Sequence, residues 1–257
     1  MKYKQGLYPI IKKENLAKDI FSFEILCPEI AEISKAGQFA QVKVAGKFLR
    51  RPISICEINE KKGTIRLVFA IKHEGTEILS NYTENTMIDI LAPLGNGFKT
   101  DENYKKVVLV GGGIGVPPMV GLSEIYGNKA VAVSGFRNSK AVILQEDFKN
   151  NNTETILCTD DGSEGIHGFV TQPLEDILKS EKIDMIYSCG PTPMLKNIAA
   201  VAKEYNTPCQ VSLEERMGCG IGACLVCACK IKGENGETES RHVCKDGPVF
   251  NAEEVEW

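Results

Sequence analysis

Four cysteines constrain this chain more than any other feature: Cys219-x4-Cys224-x2-Cys227, then Cys244 after sixteen further residues. Thiols so close in sequence converge from one loop, and the C-x4-C-x2-C…C spacing is the plant-type [2Fe–2S] pattern. Gly218, Gly220 and Gly222 interleave with them, which suits a backbone that must wrap tightly and aim amides at sulfur. A structural zinc site is the alternative. Zinc ribbons usually present two C-x2-C knuckles, and the second is missing here. Cys219, Cys224, Cys227 and Cys244 are therefore expected to be cluster ligands. Cys229 and Cys209 read as packed thiols.

Composition narrows the partners. Six of ten cysteines lie between Cys209 and Cys244, a clustering that suits ligation in a reducing compartment better than a disulfide scaffold. Residues 1–6 lack the apolar core of a signal peptide, and the uncharged stretch 107–122 is broken by glycines and prolines. The expectation is a cytoplasmic protein with no membrane partner. A net charge of −4 argues against a nucleic-acid partner, which needs a clustered basic face.

The fold expectation is an α+β multidomain chain. Alternating runs at 21–26, 38–44 and 64–71 predict an antiparallel β-barrel, or sandwich, over residues 1–100. From residue 105, compact apolar strands at 107–110, 129–134, 155–159 and 185–188 alternate with helical stretches, which predicts a doubly wound parallel α/β domain over 101–207. Residues 208–257 form the small C-terminal cluster module.

Two strand-to-helix turns in the second domain suit a dinucleotide. Gly111, Gly112, Gly113 and Gly115 precede a helix, where glycines admit a pyrophosphate and the helix N-terminus favours its charge. Cys189, Gly190 and Pro191 form a similar turn, and Asp160 follows a third strand. One such turn could be mere packing; two in one sheet favour a nucleotide crevice. The acid that reads ribose in ordinary dehydrogenases is absent after the second strand, where Arg137 stands and leaves a 2′-phosphate open. In the first domain, Arg51 beside Pro52 can offer a fork to phosphate, with Ile53 and Ser54 following. Gly75 and Thr76 precede a helix. Alone, Arg50-Arg51 is equally a surface pair.

The strings RPIS at 51–54, GGGIGVPPM at 111–119 and CGPTPM at 189–194 resemble the ferredoxin reductase superfamily, over nearly the whole chain. Its members join an FAD-binding β-barrel to a nicotinamide-binding α/β domain. SLEERMGCGIGAC at 212–224 is more specific and is similar to the electron-transfer subunits of type 1B dihydroorotate dehydrogenases. That resemblance implies FAD contacts at Arg51, Pro52, Ile53, Ser54, Val68, Phe69, Ala70, Gly75 and Thr76. It implies an FMN-bearing catalytic subunit that oxidises dihydroorotate in pyrimidine biosynthesis, in a two-plus-two heterotetramer. Electrons would pass through [2Fe–2S] and FAD to NAD. A related NADPH- or ferredoxin-linked reductase subunit is the alternative. Hydride transfer needs alignment more than an acid or base, and no catalytic histidine or carboxylate pair stands out.

Overall fold

In the computed structural model, which describes residues 3–233 and 235–257, the alternating runs of the first hundred residues close into a barrel. Its antiparallel strands are β1 (Lys4–Ala17), β2 (Ile20–Leu26), β3 (Phe39–Val42), β4 (Arg51–Asn59), β5 (Thr64–Ala70) and β6 (Met87–Leu94). They lie in the order β1-β2-β5-β4-β3-β6, with helices α1 (Pro28–Ala31) and α2 (Glu74–Ser80) in the connections. The period of two is visible in β5. Ile65, Leu67 and Phe69 point into the barrel core with Phe23, Ile25 and Ile90, while Val68 joins a different core outside. Phe23 meets Phe69 edge-on, with ring centroids 5.1 Å apart. Burying each such side chain contributes about 1.5–3 kcal/mol.

The second sheet takes β7 (Val107–Gly112), β8 (Ala130–Phe136), β9 (Glu154–Thr159), β10 (Ile166–His167), β11 (Met185–Cys189) and β12 (Cys209–Ser212), all parallel. Helices α3 (Pro117–Tyr126) and α4 (Gln145–Asn150) pack on one face, α5 (Thr171–Ser180) and α6 (Thr192–Glu204) on the other. Pro117 and Pro118 open α3, where a missing N–H costs nothing. The order β10-β9-β8-β7-β11-β12 runs one way from β7 and reverses at β11. That is the switch point of an open α/β sheet, outside whose carboxyl ends ligands bind.

Beyond β12, β13 (Ala228–Lys232) and β14 (Thr238–His242) form a hairpin, and β15 (Val249–Asn251) returns antiparallel to β12. The cysteine loop is thus spliced into the sheet rather than tethered beside it. No helix among the described residues is long and apolar enough to cross a membrane.

The barrel and sheet share a core. Ala36, Cys56, Val68 and Phe98 pack with Val116, Met119 and Val120 around α3. Arg66 of β5 pairs with Asp147 of α4, and Glu57 lies 3.6 Å from the same guanidinium nitrogen. The linker is pinned as well. Gln210 accepts from the Lys99 N–H and donates to the Lys99 carbonyl, both at 2.9 Å, and Tyr187 donates to that carbonyl at 3.0 Å. Gln210→Ala is expected to lower stability by about 1–3 kcal/mol, the cost of leaving such groups unpaired. A urea midpoint within error of the parent protein would show that the linker holds without this clamp.

Candidate functional site

The hairpin register builds the cysteine centre. β13 pairs Ala228 with His242, and the Val243 N–H donates to the Cys227 carbonyl at 2.9 Å. This brings Cys244 to the Cys219–Cys227 loop across sixteen intervening residues. Five backbone amides then converge on the four sulfurs. Ile221 and Ala223 donate to Cys219 Sγ at 3.4 and 3.2 Å, Cys219 to Cys224 Sγ at 3.4 Å, Gly222 to Cys244 Sγ at 3.1 Å and Cys244 to Cys227 Sγ at 3.4 Å. Amides aimed at sulfur are what thiolate ligands of an iron–sulfur cluster need. Burial raises the Cys219 thiol, but the Ile221 and Ala223 amides outweigh it and bring it down to about 7.

The thiols associate in pairs, Cys219 with Cys224 and Cys227 with Cys244. Two pairs suit two irons. The outer pair is accessible, and Ile221, Leu225 and Val226 are exposed beside it. Leu225 holds φ +60, a strained conformation for a leucine. The inner pair is buried. Cys229 packs against the neighbouring core, and burial pushes its thiol up to about 11.

The loop is clamped from both sides. Asn96, just past β6, donates through Nδ2 to the Lys245 and Asp246 carbonyls at 3.1 and 2.8 Å. Leu213 donates to the Pro248 carbonyl at 2.9 Å, and Lys72 reaches Glu214 at 3.2 Å. A cleft of about 1280 Å³ lined by Ser34, Phe98, Glu124 and Ile125 touches the loop at Gly220 and Cys244, and reaches none of the flavin- or nucleotide-assigned residues.

In the barrel, the two arginines separate. Arg50 Nη2 donates to both oxygens of the Asp89 carboxylate, at 2.9 and 2.8 Å, a structural pair. Arg51 has no carboxylate partner among the described residues, and its guanidinium lies so close over Gly75 that a Cβ there would overlap it. A fork-shaped cation over the first turn of α2 suits a phosphate. The Thr76 hydroxyl is occupied: it accepts from the Lys72 and His73 amides at 2.9 and 3.2 Å and donates to the His73 carbonyl at 2.8 Å. Pro52 is exposed, Ser54 and Ala70 are half-buried, and Ile53 is buried. The side chains of Val68 and Phe69 are committed to cores, which leaves their backbone to face a ligand.

At the switch point, the glycines divide in the same way. A side chain at Gly111 would strike Val116, at Gly112 Met194, and at Gly115 the Cys189 carbonyl. These three, with Gly190 against Met194, let the turns after β7 and β11 touch. Gly113, at φ +54, would meet nothing within 4 Å and borders open space. Pro191 precedes the first residue of α6, and Cys189 is half-buried at the end of β11. Asp160 is exposed, and its N–H donates to the Phe136 carbonyl at 3.0 Å. Arg137 is exposed without an ion pair among the described residues.

The electron transfer subunit of dihydroorotate dehydrogenase B (NAD(+)) from Bacillus caldolyticus is 43% identical over 88% of each chain. The chain belongs to this family. The subunit of the same name from Geobacillus sp. (strain WCH70) is 39% identical over 98% of each. Residues 214–256 match the iron-sulfur cluster binding domain of dihydroorotate dehydrogenase B. Among solved structures, a chain of NADH-dependent reduced ferredoxin-NADP oxidoreductase superposes with a TM-score of 0.87 at 31% identity, covering 98% of this chain and 90% of that one. Phthalate dioxygenase reductase, at 17% identity and a TM-score of 0.64 over 95% of this chain and 77% of its own, shares the fold. Gln41 of β3, buried against Gly220 of the cysteine loop, escapes sequence reasoning. Its only signal is a polar residue inside the apolar run 39–42.

Proposed function

We infer that this chain is the electron-transfer subunit of an NAD-dependent dihydroorotate dehydrogenase in pyrimidine biosynthesis, joining an FMN-bearing catalytic subunit to NAD. The observation that carries the reading is the amide-lined cysteine loop clamped between a barrel whose Arg51 has no carboxylate partner among the described residues and a sheet whose switch point is open at Gly113. When bound, FAD exchanges both hydride and single electrons, and a [2Fe–2S] cluster exchanges single electrons. The residues supply place and protection. Cys219, Cys224, Cys227 and Cys244 hold the cluster; Arg51 to Ser54, Val68 to Ala70, Gly75 and Thr76 hold FAD. Gly111 to Gly113, Gly115, Asp160 and Cys189 to Pro191 frame the nicotinamide nucleotide.

Exposed Ile221, Leu225 and Val226 beside the outer thiols form the face assigned to the catalytic subunit, in a two-plus-two heterotetramer. All ten cysteines are free, in keeping with a cytoplasmic location. The 31% identity to the ferredoxin-NADP oxidoreductase chain, against 43% to the dihydroorotate dehydrogenase relative, ranks that alternative second. Co-purification with the catalytic subunit and an assay for dihydroorotate-dependent NAD reduction test the assignment. Absence of turnover in a complex loaded with flavin and iron would overturn it.

Arg51→Ala tests the flavin site separately. A charge-assisted hydrogen bond contributes about 1.5–3 kcal/mol, so FAD affinity should fall roughly tenfold to a hundredfold. Stoichiometric FAD retained through dilution and gel filtration would return Arg51 to the surface.

A further inference from the structure

Gln41 is fully buried, and neither its Nε2 nor its Oε1 has a hydrogen-bond partner among the described residues. A buried primary amide is strongly unfavourable without partners, and nearly all such groups in folded proteins have them. The strand is not free to slide toward one. Arg50 Nη1 donates to the Gln41 carbonyl at 3.3 Å while the same guanidinium grips Asp89.

The surroundings say what the partner is. Gln41 pairs across the ladder with Pro52, and Phe39 pairs with Ser54. Directly opposed residues share a face, so the Gln41 amide lies beside the strand assigned to FAD. On its other side is the cysteine loop. A Cβ on Gly220 would fall 2.7 Å from Gln41 Cγ and 2.8 Å from Nε2, and Gly220, at φ +76, directly follows Cys219. The amide therefore stands at the seam between the flavin strand and the cluster loop. The other orphaned side chain among the described residues, Ser188 Oγ, lies mid-strand in β11 of the parallel sheet.

We propose that Gln41 is a positioning residue for electron transfer: its Nε2 donates a hydrogen bond to the redox group at this seam and favours that group's reduced form. The acceptor is an atom that gains negative charge on reduction, a cluster sulfur or a flavin ring oxygen or nitrogen. Hydrogen bonds to such atoms raise a reduction potential, because they stabilise the more negative state. Contact with Gly220 favours the cluster. The proposal rests on the reading of the chain as an FAD- and cluster-bearing subunit.

Gln41→Leu and Gln41→Met keep the volume and remove the donor. In the full chain purified with its cofactors, FAD and iron content are measured first, then both midpoint potentials and the EPR spectrum of the reduced cluster. The expected result is full cofactor content, a cluster potential shifted to more negative values, an altered EPR signal and an unchanged FAD potential. A shift confined to FAD supports the proposal with flavin as the acceptor. Unchanged potentials and EPR in loaded variants would overturn it, as would loss of both cofactors from both variants, which makes Gln41 a packing residue. Parent protein without flavin or iron would instead overturn the functional reading.

Discussion

Cys219→Ala and Cys227→Ala are expected to abolish dihydroorotate-coupled NAD reduction while leaving NADH-dependent flavin reduction in place. Each variant removes one thiol from a set of four in which every sulfur already receives at least one backbone amide. A plant-type centre has no spare ligand, so losing one removes the cluster rather than weakening it. The parent chain should carry about two irons and two acid-labile sulfides. Cys224→Ser should remove most of both, whereas Cys229→Ser should leave them, because Cys229 packs against the core and, among the described residues, its sulfur receives no amide from the loop. Equal loss from Cys224→Ser and Cys229→Ser would sink the ligand assignment.

The NADH-linked step survives in these variants for a structural reason. The switch-point turns, Arg51 and Gly75 are held by the barrel, by α3 and by the shared core around Val68 and Met119. The Val68–Met119 core and the Arg51–Gly75 contact involve no residue of the Cys219–Cys227 loop among the described residues. Loss of flavin reduction in a folded Cys227→Ala protein would show that the loop also shapes the flavin site.

The centre was legible because its chemistry is local: three cysteines within nine residues name a loop, and glycines name its curvature. The barrel and the parallel sheet were legible from the change of period near residue 105. What period cannot reveal is pairing between distant segments. β12 and β15 flank the cysteine loop in sequence and lie side by side at one edge of the larger sheet. That depends on a return of the chain after Cys244, and three residues of β15 carry too little pattern to announce it. The same limit hides the division of labour between Arg50 and Arg51. Only the fold places Asp89 opposite one arginine and Gly75 beneath the other. It hides Gln41 too, since an isolated glutamine in a strand ordinarily faces water.

Alone, the chain is expected to reduce artificial electron acceptors with NADH and to show no oxidation of dihydroorotate. That oxidation removes a proton from carbon and needs a base oriented in a closed pocket. The described residues offer none. His73 caps α2, His167 is exposed on β10, and His242 lies 3.6 Å from Asp246 beside the cysteine loop. The carboxyl of Glu124 is raised by burial, then by the charge of Glu57, and it lines the cleft near Gly220. Yet Glu124 projects from the exposed side of α3 and has no hydrogen-bond partner among the described residues to orient it. A base must be held within hydrogen-bond reach of the proton it takes, and a carboxylate with nothing to orient it is not. Adding the FMN-bearing subunit should therefore create dihydroorotate-to-NAD turnover from two preparations that each lack it. Glu124→Gln should leave that turnover unchanged. Dihydroorotate oxidation by the pure, partner-free chain would overturn the division of labour, and its loss in Glu124→Gln would identify the base that the fold does not otherwise assign.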